Sequence, residues 1–190
     1  MKNLLLAATA ALAVNLAHAV ELEGFKFDDK IKLGNADLVV NGAGVRSKFG
    51  KRYVMALYLP VKATDTKAVL AAKGPKRVAI SLIKDVSGST FANAVSGGIN
   101  DNSSDAEKAA LKDRIKQLAD TVAEIDEIKA GTSIVFDWIP EKGTLLTIGG
   151  QMKGKEIAGE DFFAGLLKVW LGEDPAQDDL KQALLGKSSR

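Results

Sequence analysis

The residues best suited to chemistry stand together in one stretch, NGAGVRSKFGKRYVMALYL, at positions 41–59. Arg46 precedes a turn signal, GKR, and Tyr53 follows it, so a hairpin over this turn would set the two side chains beside one another. A guanidinium donates two parallel hydrogen bonds to a carboxylate or phenolate, and a tyrosine hydroxyl can donate a third. Arg46 and Tyr53 therefore form a candidate anion-binding pair, and Lys48 is a candidate for additional positive charge at its mouth.

A structural interpretation of the same residues stays open. In that interpretation Arg46 pairs with a nearby acid, Tyr53 belongs to the core with its hydroxyl at the rim, and Lys48 is solvated. Spacing alone does not separate the two interpretations. In either case the glycines of the stretch are expected to make the turn into the hairpin.

The segment that must position Tyr53 is a strand with two apolar faces. Side chains alternate along an extended chain, so one face carries Tyr53, Met55, Leu57 and Leu59, and the other carries Val54, Ala56 and Tyr58. A strand that is apolar on both sides is expected to be buried between two layers.

The chain opens with a predicted secretory signal peptide, residues 1–19. Lys2 supplies a positive charge, LLLAATAALAVNLA is an apolar region, and Ala17-His18-Ala19 is a small-x-small cleavage site. The apolar region is short for a membrane span. We expect a mature protein that starts near Val20, is periplasmic or secreted, and is not stably inserted in a membrane.

Cleavage near Ala19 removes His18, the only histidine, and the sequence has no cysteine. Catalysis and metal binding through histidine or thiolate are thereby excluded from the mature protein. The formal net charge falls from +2 to +1 with the loss of Lys2, which argues against nucleic-acid binding through bulk charge. The acidic segments lack the spacing of a calcium loop and the glycine-rich segment lacks that of a phosphate loop, so neither a metal nor a cofactor is expected.

Residues 20–190 are expected to form a single α+β domain. Strands come first, then helices, then a hairpin and more helices, an order that favours an antiparallel sheet with helices packed over one face. An amphipathic ligand could enter between those two layers. One helix is expected to end at Gly97–Gly98, and the last helix is expected to have Asp174 as N-cap and Pro175 at its first position.

Two motifs resemble the chalcone isomerase superfamily, specifically its bacterial exported, chalcone-isomerase-like branch. They are GAGVRSKFGKRYVMALYL and, near the C-terminus, FFAGLLKVWLGEDPAQDDLKQALLG; the segments GTSIVFDWIP and GTLLTI lie between them in the same order. The similarity covers most of the mature chain. It implies an open-faced β-sandwich, in which helices cover a large antiparallel sheet and a ligand cleft lies between them.

The resemblance also implies residue roles. Plant isomerases of this superfamily close chalcones to flavanones, and the arginine of their Gly-x-Gly-x-Arg motif, matched here by Arg46, steadies the attacking phenolate. They carry threonine where this chain has Tyr53, whereas fatty-acid-binding relatives carry a tyrosine that joins the arginine on the carboxylate. Two further polar positions of the isomerases fall at Gly88 and Phe163.

Three hypotheses follow for the function. The leading one is a non-catalytic protein that binds a fatty acid or similar amphipathic carboxylate between Arg46 and Tyr53, with pocket walls from Met55, Leu57, Phe91, Phe163 and Leu167. The alternative is an isomerase of a chalcone-like phenolic substrate, with Arg46 as its catalytic residue. The third is a structural or adaptor role, in which an internal acid satisfies Arg46 and no cavity separates the layers. The sequence does not fix an oligomeric state.

Overall fold

The computed structural model describes residues 19–187, and the predicted signal peptide lies outside this part apart from its last residue, Ala19. The strands of the described part are β1 (Ala19–Leu22), β2 (Phe25–Asp28), β3 (Lys30–Leu33), β4 (Ala36–Ser47), β5 (Lys51–Leu59), β6 (Lys76–Leu82), β7 (Ser133–Ile139), β8 (Gly143–Ile148) and β9 (Gln151–Ile157). Its helices are α1 (Thr66–Ala71), α2 (Gly88–Asp101), α3 (Asp105–Ala123), α4 (Glu160–Leu171) and α5 (Asp178–Leu184). None of these helices is long and apolar enough to cross a membrane.

The strands form one large antiparallel sheet and one small hairpin. β3 to β9 lie side by side in sequence order, and β1 pairs with β2 separately. α2 and α3 are inserted between β6 and β7, and α4 and α5 follow the last strand. The α+β prediction, an antiparallel sheet covered by helices, is confirmed.

β5 lies at the centre of the core and is buried on both faces, as its sequence predicts. Met55, Leu57 and Leu59 belong to the cluster that includes the apolar residues of the helices. Val54 and Tyr58 belong to a second cluster on the opposite face, formed with side chains of β2, β3 and β4. Because each large side chain that is fully buried contributes roughly 1.5–3 kcal/mol, the strand that carries Tyr53 is firmly held.

The glycines of residues 41–59 do two different things. The prediction that they make the hairpin turn holds for Gly50, which has φ 97° between β4 and β5, and is wrong for Gly42 and Gly44, which lie inside β4. A Cβ atom on Gly42 would collide with the backbone carbonyl oxygen of Ala183, and one on Gly44 would lie 2.8 Å from Leu180 Cδ1. The two glycines therefore let α5 lie directly on β4.

The predicted end of α2 at Gly97–Gly98 is wrong, because the helix continues to Asp101. Gly98 packs against α4, and a Cβ atom there would lie 2.9 Å from Val169 Cγ1. Gly98 thus allows α2 and α4 to pack closely, and its low helix propensity destabilises α2 by only about 1 kcal/mol.

The predicted start of α5 is also wrong. The helix begins at Asp178 with Gln177 as its N-cap residue, and Asp174 and Pro175 precede it in non-helical conformation. Tertiary hydrogen bonds fix this segment: the Asp174 amide donates to Asn102 Oδ1 at 2.9 Å, and the Ala176 amide donates to the Val169 carbonyl at 2.8 Å. The later start brings Gln177 next to the end of β4.

Candidate functional site

Arg46 and Tyr53 lie directly opposite one another on the adjacent strands β4 and β5. Side chains of directly opposed residues project from the same face of an antiparallel pair, so the hairpin brings the predicted pair together. That face is the one covered by the helices, because Tyr53 packs against the cluster that they complete. The expected juxtaposition of a guanidinium and a phenol at the end of an apolar strand is therefore present.

A second aromatic residue, Trp170 of α4, fixes the Tyr53 hydroxyl. The Trp170 Nε1–H donates to Tyr53 Oη at 2.8 Å, and the Trp170 side chain is only 2% exposed. Burial raises the pKa of Tyr53 above its usual value of 10, although the hydrogen bond from Trp170 and the charge of Arg46 act in the opposite direction. The phenol is therefore neutral at ordinary pH, and its hydroxyl hydrogen remains to be donated to an anion.

Arg46 is held by uncharged acceptors. Its Nη1 atom donates to Gln177 Oε1 at 3.2 Å and to the Ser47 carbonyl at 2.9 Å. The same Gln177 oxygen accepts from the Ser47 amide at 2.8 Å, so the amide side chain ties the end of β4 to the start of α5. No carboxylate within residues 19–187 forms an ion pair with Arg46. The internal acid required by the structural interpretation is absent from this part of the chain.

A cavity of about 730 Å³ opens beside Arg46 and Tyr53, between the sheet and the helices. Its volume falls in the range of small-molecule sites. The cationic side chains Lys48, Arg52 and Lys84 line it together with Arg46, and its apolar wall includes Leu82, Phe91, Val95, Val169 and Trp170. Three acidic residues, Asp85, Asp101 and Asp174, also line it. The arrangement is a partly apolar cleft with positive charge concentrated beside the β4–β5 hairpin.

The predicted site residues divide into two groups. Arg46, Lys48, Tyr53 and Phe91 line the cavity. Met55, Leu57, Phe163 and Leu167 are buried in the core on the same side of the sheet and are not among the residues that line it. Periodicity indicates which face such residues occupy, but it does not show how deep the cavity extends.

Sequence reasoning missed two residues of the site, Trp170 and Gln177. Trp170 offered a weak signal, because a buried tryptophan usually finds an acceptor for its indole N–H. Gln177 offered none: it stands in EDPAQDD, a segment that reads as a turn and helix start. Its position beside Arg46 depends on the packing of α5 against β4.

A larger groove of about 1090 Å³ lies near α1 and the start of α3. Its cationic residues are Lys67, Lys168 and Lys181, and the last two are already occupied, so that one cation remains against the four that line the cavity at Arg46. Lys168 Nζ binds Glu107 Oε1 at 2.7 Å, and Lys181 Nζ donates to the Gly172 carbonyl at 2.6 Å. The groove therefore offers an anion less free charge than the cavity at Arg46. No cluster of acidic or histidine side chains within residues 19–187 has the arrangement of a metal site.

Comparisons with known proteins agree on the fold. A family model described as chalcone isomerase-like matches residues 19–186. The solved structure of a fatty-acid binding protein of Arabidopsis thaliana superposes with a TM-score of 0.67, covering 88% of this chain and 96% of that chain at 14% sequence identity. None of the curated proteins matches the sequence. The predicted open-faced sandwich of the chalcone isomerase type is thereby confirmed.

Proposed function

The chain belongs to the chalcone isomerase-like family, and we propose that it binds a fatty acid or a similar amphipathic carboxylate without transforming it. The observation that carries the proposal is the environment of Arg46, namely its place beside the cavity and the charge of its hydrogen-bond partner. This arginine lines a partly apolar cavity and is held in place by a neutral amide rather than by a carboxylate. Its charge is therefore positioned but not compensated, which is what an anionic ligand group requires.

In the proposed complex the carboxylate lies between Arg46 and Tyr53. The guanidinium donates charge-assisted hydrogen bonds, and the neutral Tyr53 hydroxyl, already oriented by Trp170, donates another. The acyl chain then lies against Phe91, Val95 and Val169. Lys48 adds positive charge at the mouth. Met55, Leu57, Phe163 and Leu167 support this wall from the core and are not proposed as contacts.

Two further points support binding over isomerisation. The structural relative from Arabidopsis thaliana is described as a fatty-acid binding protein. The positions where the resemblance places polar isomerase residues hold Gly88, which has no side chain, and Phe163, whose ring packs in the core 6.3 Å from that of Trp138. Neither position supplies a polar group to a phenolic substrate.

We also propose export to the periplasm or the medium, as in the bacterial exported branch of the family. The support is the apolar segment and the cleavage site before Val20. N-terminal sequencing of the protein from cell fractions tests this proposal. A mature N-terminus near Val20 in the exported fraction supports it, and an intact Met1 or Lys2 terminus in the cytoplasm contradicts it.

Native mass spectrometry of the protein purified from cells tests the proposed ligand class. The expected result is a bound species with the mass of a fatty acid, or a new one after addition of laurate or palmitate. Absence of both contradicts the proposal. A parallel spectrophotometric assay with 2′-hydroxychalcone is expected to show only the spontaneous cyclisation; a faster rate that Arg46→Ala abolishes supports the isomerase alternative.

A further inference from the structure

The tip of the β4–β5 hairpin exposes a large aromatic side chain that the fold does not use. Phe49 is 89% exposed, more than the other exposed large apolar residues between positions 19 and 187, Val61 at 75% and Met152 at 61%. Its backbone has φ 55°, in the left-handed region that glycine or asparagine adopts at less cost than a bulky residue. An exposed ring on a strained backbone contributes little to stability, so its presence points to a role outside the fold.

Positive charge surrounds this ring. Lys48 and Arg52 flank it in the hairpin, and both are exposed. The Arg52 Nε–H donates to the Lys48 carbonyl at 2.9 Å, which keeps the guanidinium folded along the hairpin. Lys84, two residues after β6, extends to the same tip, where its Nζ lies 3.4 Å from the position of a Cβ atom on Gly50.

Two acids adjacent to the hairpin, Asp85 and Glu23, are already paired. Asp85, beside Lys84, accepts from Lys129 Nζ at 3.1 Å and from the Ala130 amide at 2.7 Å. Glu23 accepts from Lys51 Nζ at 2.7 Å. Within residues 19–187, Lys48, Arg52 and Lys84 make no ion pair. The tip, defined as Lys48, Phe49, Arg52 and Lys84, is therefore a cationic patch around one exposed ring.

All four residues of the tip also line the cavity of Arg46 and Tyr53. We propose that the tip docks on the surface of an anionic phospholipid bilayer, with Phe49 inserted at the level of the headgroups and the three cations on the lipid phosphates. The mouth of the cavity then faces the bilayer. The proposal of membrane docking depends only on the residues of the tip. A role of docking in loading or releasing a carboxylate depends in addition on the proposed function.

The composition of the tip favours a bilayer over an acidic protein. A stable protein interface buries about 800 Å² on each partner around a packed apolar centre, whereas a single ring on a narrow turn forms no such centre. Weak membrane binding requires less, because an apolar insertion and a few basic residues act together. Each basic residue near an anionic surface strengthens binding by about fivefold, and insertion of the ring adds about tenfold. Reversible docking is the expected outcome.

Co-sedimentation of the mature protein with vesicles tests the proposal. Vesicles of phosphatidylcholine mixed with phosphatidylglycerol are expected to bind the protein at least about tenfold more tightly than phosphatidylcholine alone. Binding is expected to be lost at about 0.5 M salt, where exposed charges are screened. Equal binding to both vesicle types, or no binding to either, overturns the proposal.

Two variants and two matched controls locate the surface. Phe49→Asn removes the ring and suits the positive φ, so the fold is expected to remain intact while vesicle binding weakens about tenfold. The double variant Lys48→Glu with Lys84→Glu reverses the charge and is expected to abolish binding. Val61→Asn replaces an exposed apolar residue outside the tip, and the double variant Lys112→Glu with Lys142→Glu makes the same change of net charge at exposed positions outside the tip; both controls are expected to bind as the wild type does.

Competition and ligand measurements separate the remaining explanations. Wild-type binding to polyglutamate that is tighter than binding to the vesicles, and that Phe49→Asn does not weaken, points to an acidic protein partner and overturns the bilayer proposal. Failure of vesicle binding by a wild-type protein that still binds laurate in solution refutes the docking alone. Vesicle binding by a wild-type protein that does not bind laurate supports the docking and refutes the proposed function.

Discussion

The Nη1 atom of Arg46 lies 3.2 Å from the Oε1 atom of Gln177, a residue 131 positions further along the chain. Because the acceptor is an amide, it orients the guanidinium without neutralising it. Gln177→Glu is expected to keep the hydrogen bond to the Ser47 amide and to create an internal ion pair with Arg46. We predict that laurate affinity, measured by calorimetry, falls by about tenfold or more while the free energy of unfolding does not decrease.

The control for this prediction is Gln182→Glu, which makes the same change of charge elsewhere on α5, outside the cavity. Its laurate affinity is expected to remain within about twofold of the wild type, because Gln182 is partly exposed and a charge outside the cavity is screened by salt. If both variants weaken binding equally, the effect is long-range repulsion and Gln177 has no special role.

The Tyr53–Trp170 hydrogen bond gives a prediction for stability. Tyr53→Phe leaves the buried indole N–H of Trp170 without its acceptor, and we expect the free energy of unfolding to fall by about 1–3 kcal/mol. The same substitution in a Trp170→Phe background is expected to cost less, since no indole is left unsatisfied. Urea denaturation of the four proteins measures this coupling. Strictly additive costs would show that the hydrogen bond contributes nothing.

Alkaline pH should destabilise the fold through its two tyrosines. Burial raises the pKa of Tyr53, and burial with the charge of Asp28 raises that of Tyr58 to about 12. A raised pKa means that the folded state disfavours the phenolate. The contribution of each tyrosine to the free energy of unfolding is therefore complete below pH 10, and it is lost as the pH rises towards the pKa of that tyrosine in the folded state. For Tyr58 the loss is on the order of 2–3 kcal/mol.

Urea denaturation between pH 8 and about 12, followed with tyrosinate absorbance, measures this dependence. Tyr58→Phe is expected to flatten the decline at the alkaline end, and Tyr53→Phe to flatten it from pH 10 upward. A decline that is unchanged in both variants would assign the effect to lysine deprotonation instead.

The glycines of β4 give a prediction about how the site is assembled. Gly42→Ala places a methyl group against the backbone carbonyls of Ala183 and Leu184, and backbone cannot move aside cheaply. Gly44→Ala meets the side chains of Leu180 and Ala183 instead. We expect Gly42→Ala to lose about 1–3 kcal/mol of stability or more, and Gly44→Ala to lose less. Thermal unfolding compares them, and a reversed order contradicts the account.

Local patterns were sufficient to predict most strands and the pairing of Arg46 with Tyr53. The alternation in residues 53–59 indicates both buried faces. The turn lies at residues 48–50, so that of the GKR signal only Gly50 is in it, and it brings two positions only seven residues apart into register. Nearby residues in a hairpin have few ways to meet, so sequence spacing constrains them strongly.

Long-range packing accounts for what the sequence did not predict. Asp174 and Pro175 have the residue types of a helix start, but hydrogen bonds to Asn102, which follows α2, and to Val169 of α4 hold their segment out of the helix. Gly42 and Gly44 resemble turn residues, and their use becomes evident only once α5 lies on them. Gln177 reaches Arg46 for the same reason. Each of these features depends on contacts between distant segments, which local propensity does not encode.

The central claim is that Arg46 binds the carboxylate of an amphipathic ligand. Calorimetry with laurate and with its uncharged alcohol, dodecanol, tests it in wild type, Arg46→Met and the matched control Arg52→Met, which removes an exposed arginine from the cavity mouth. We predict that Arg46→Met weakens laurate binding by about 2–5 kcal/mol, changes dodecanol binding little, and that Arg52→Met has a small effect on both. Equal losses for laurate and dodecanol in Arg46→Met, or unchanged laurate affinity, would contradict the claim.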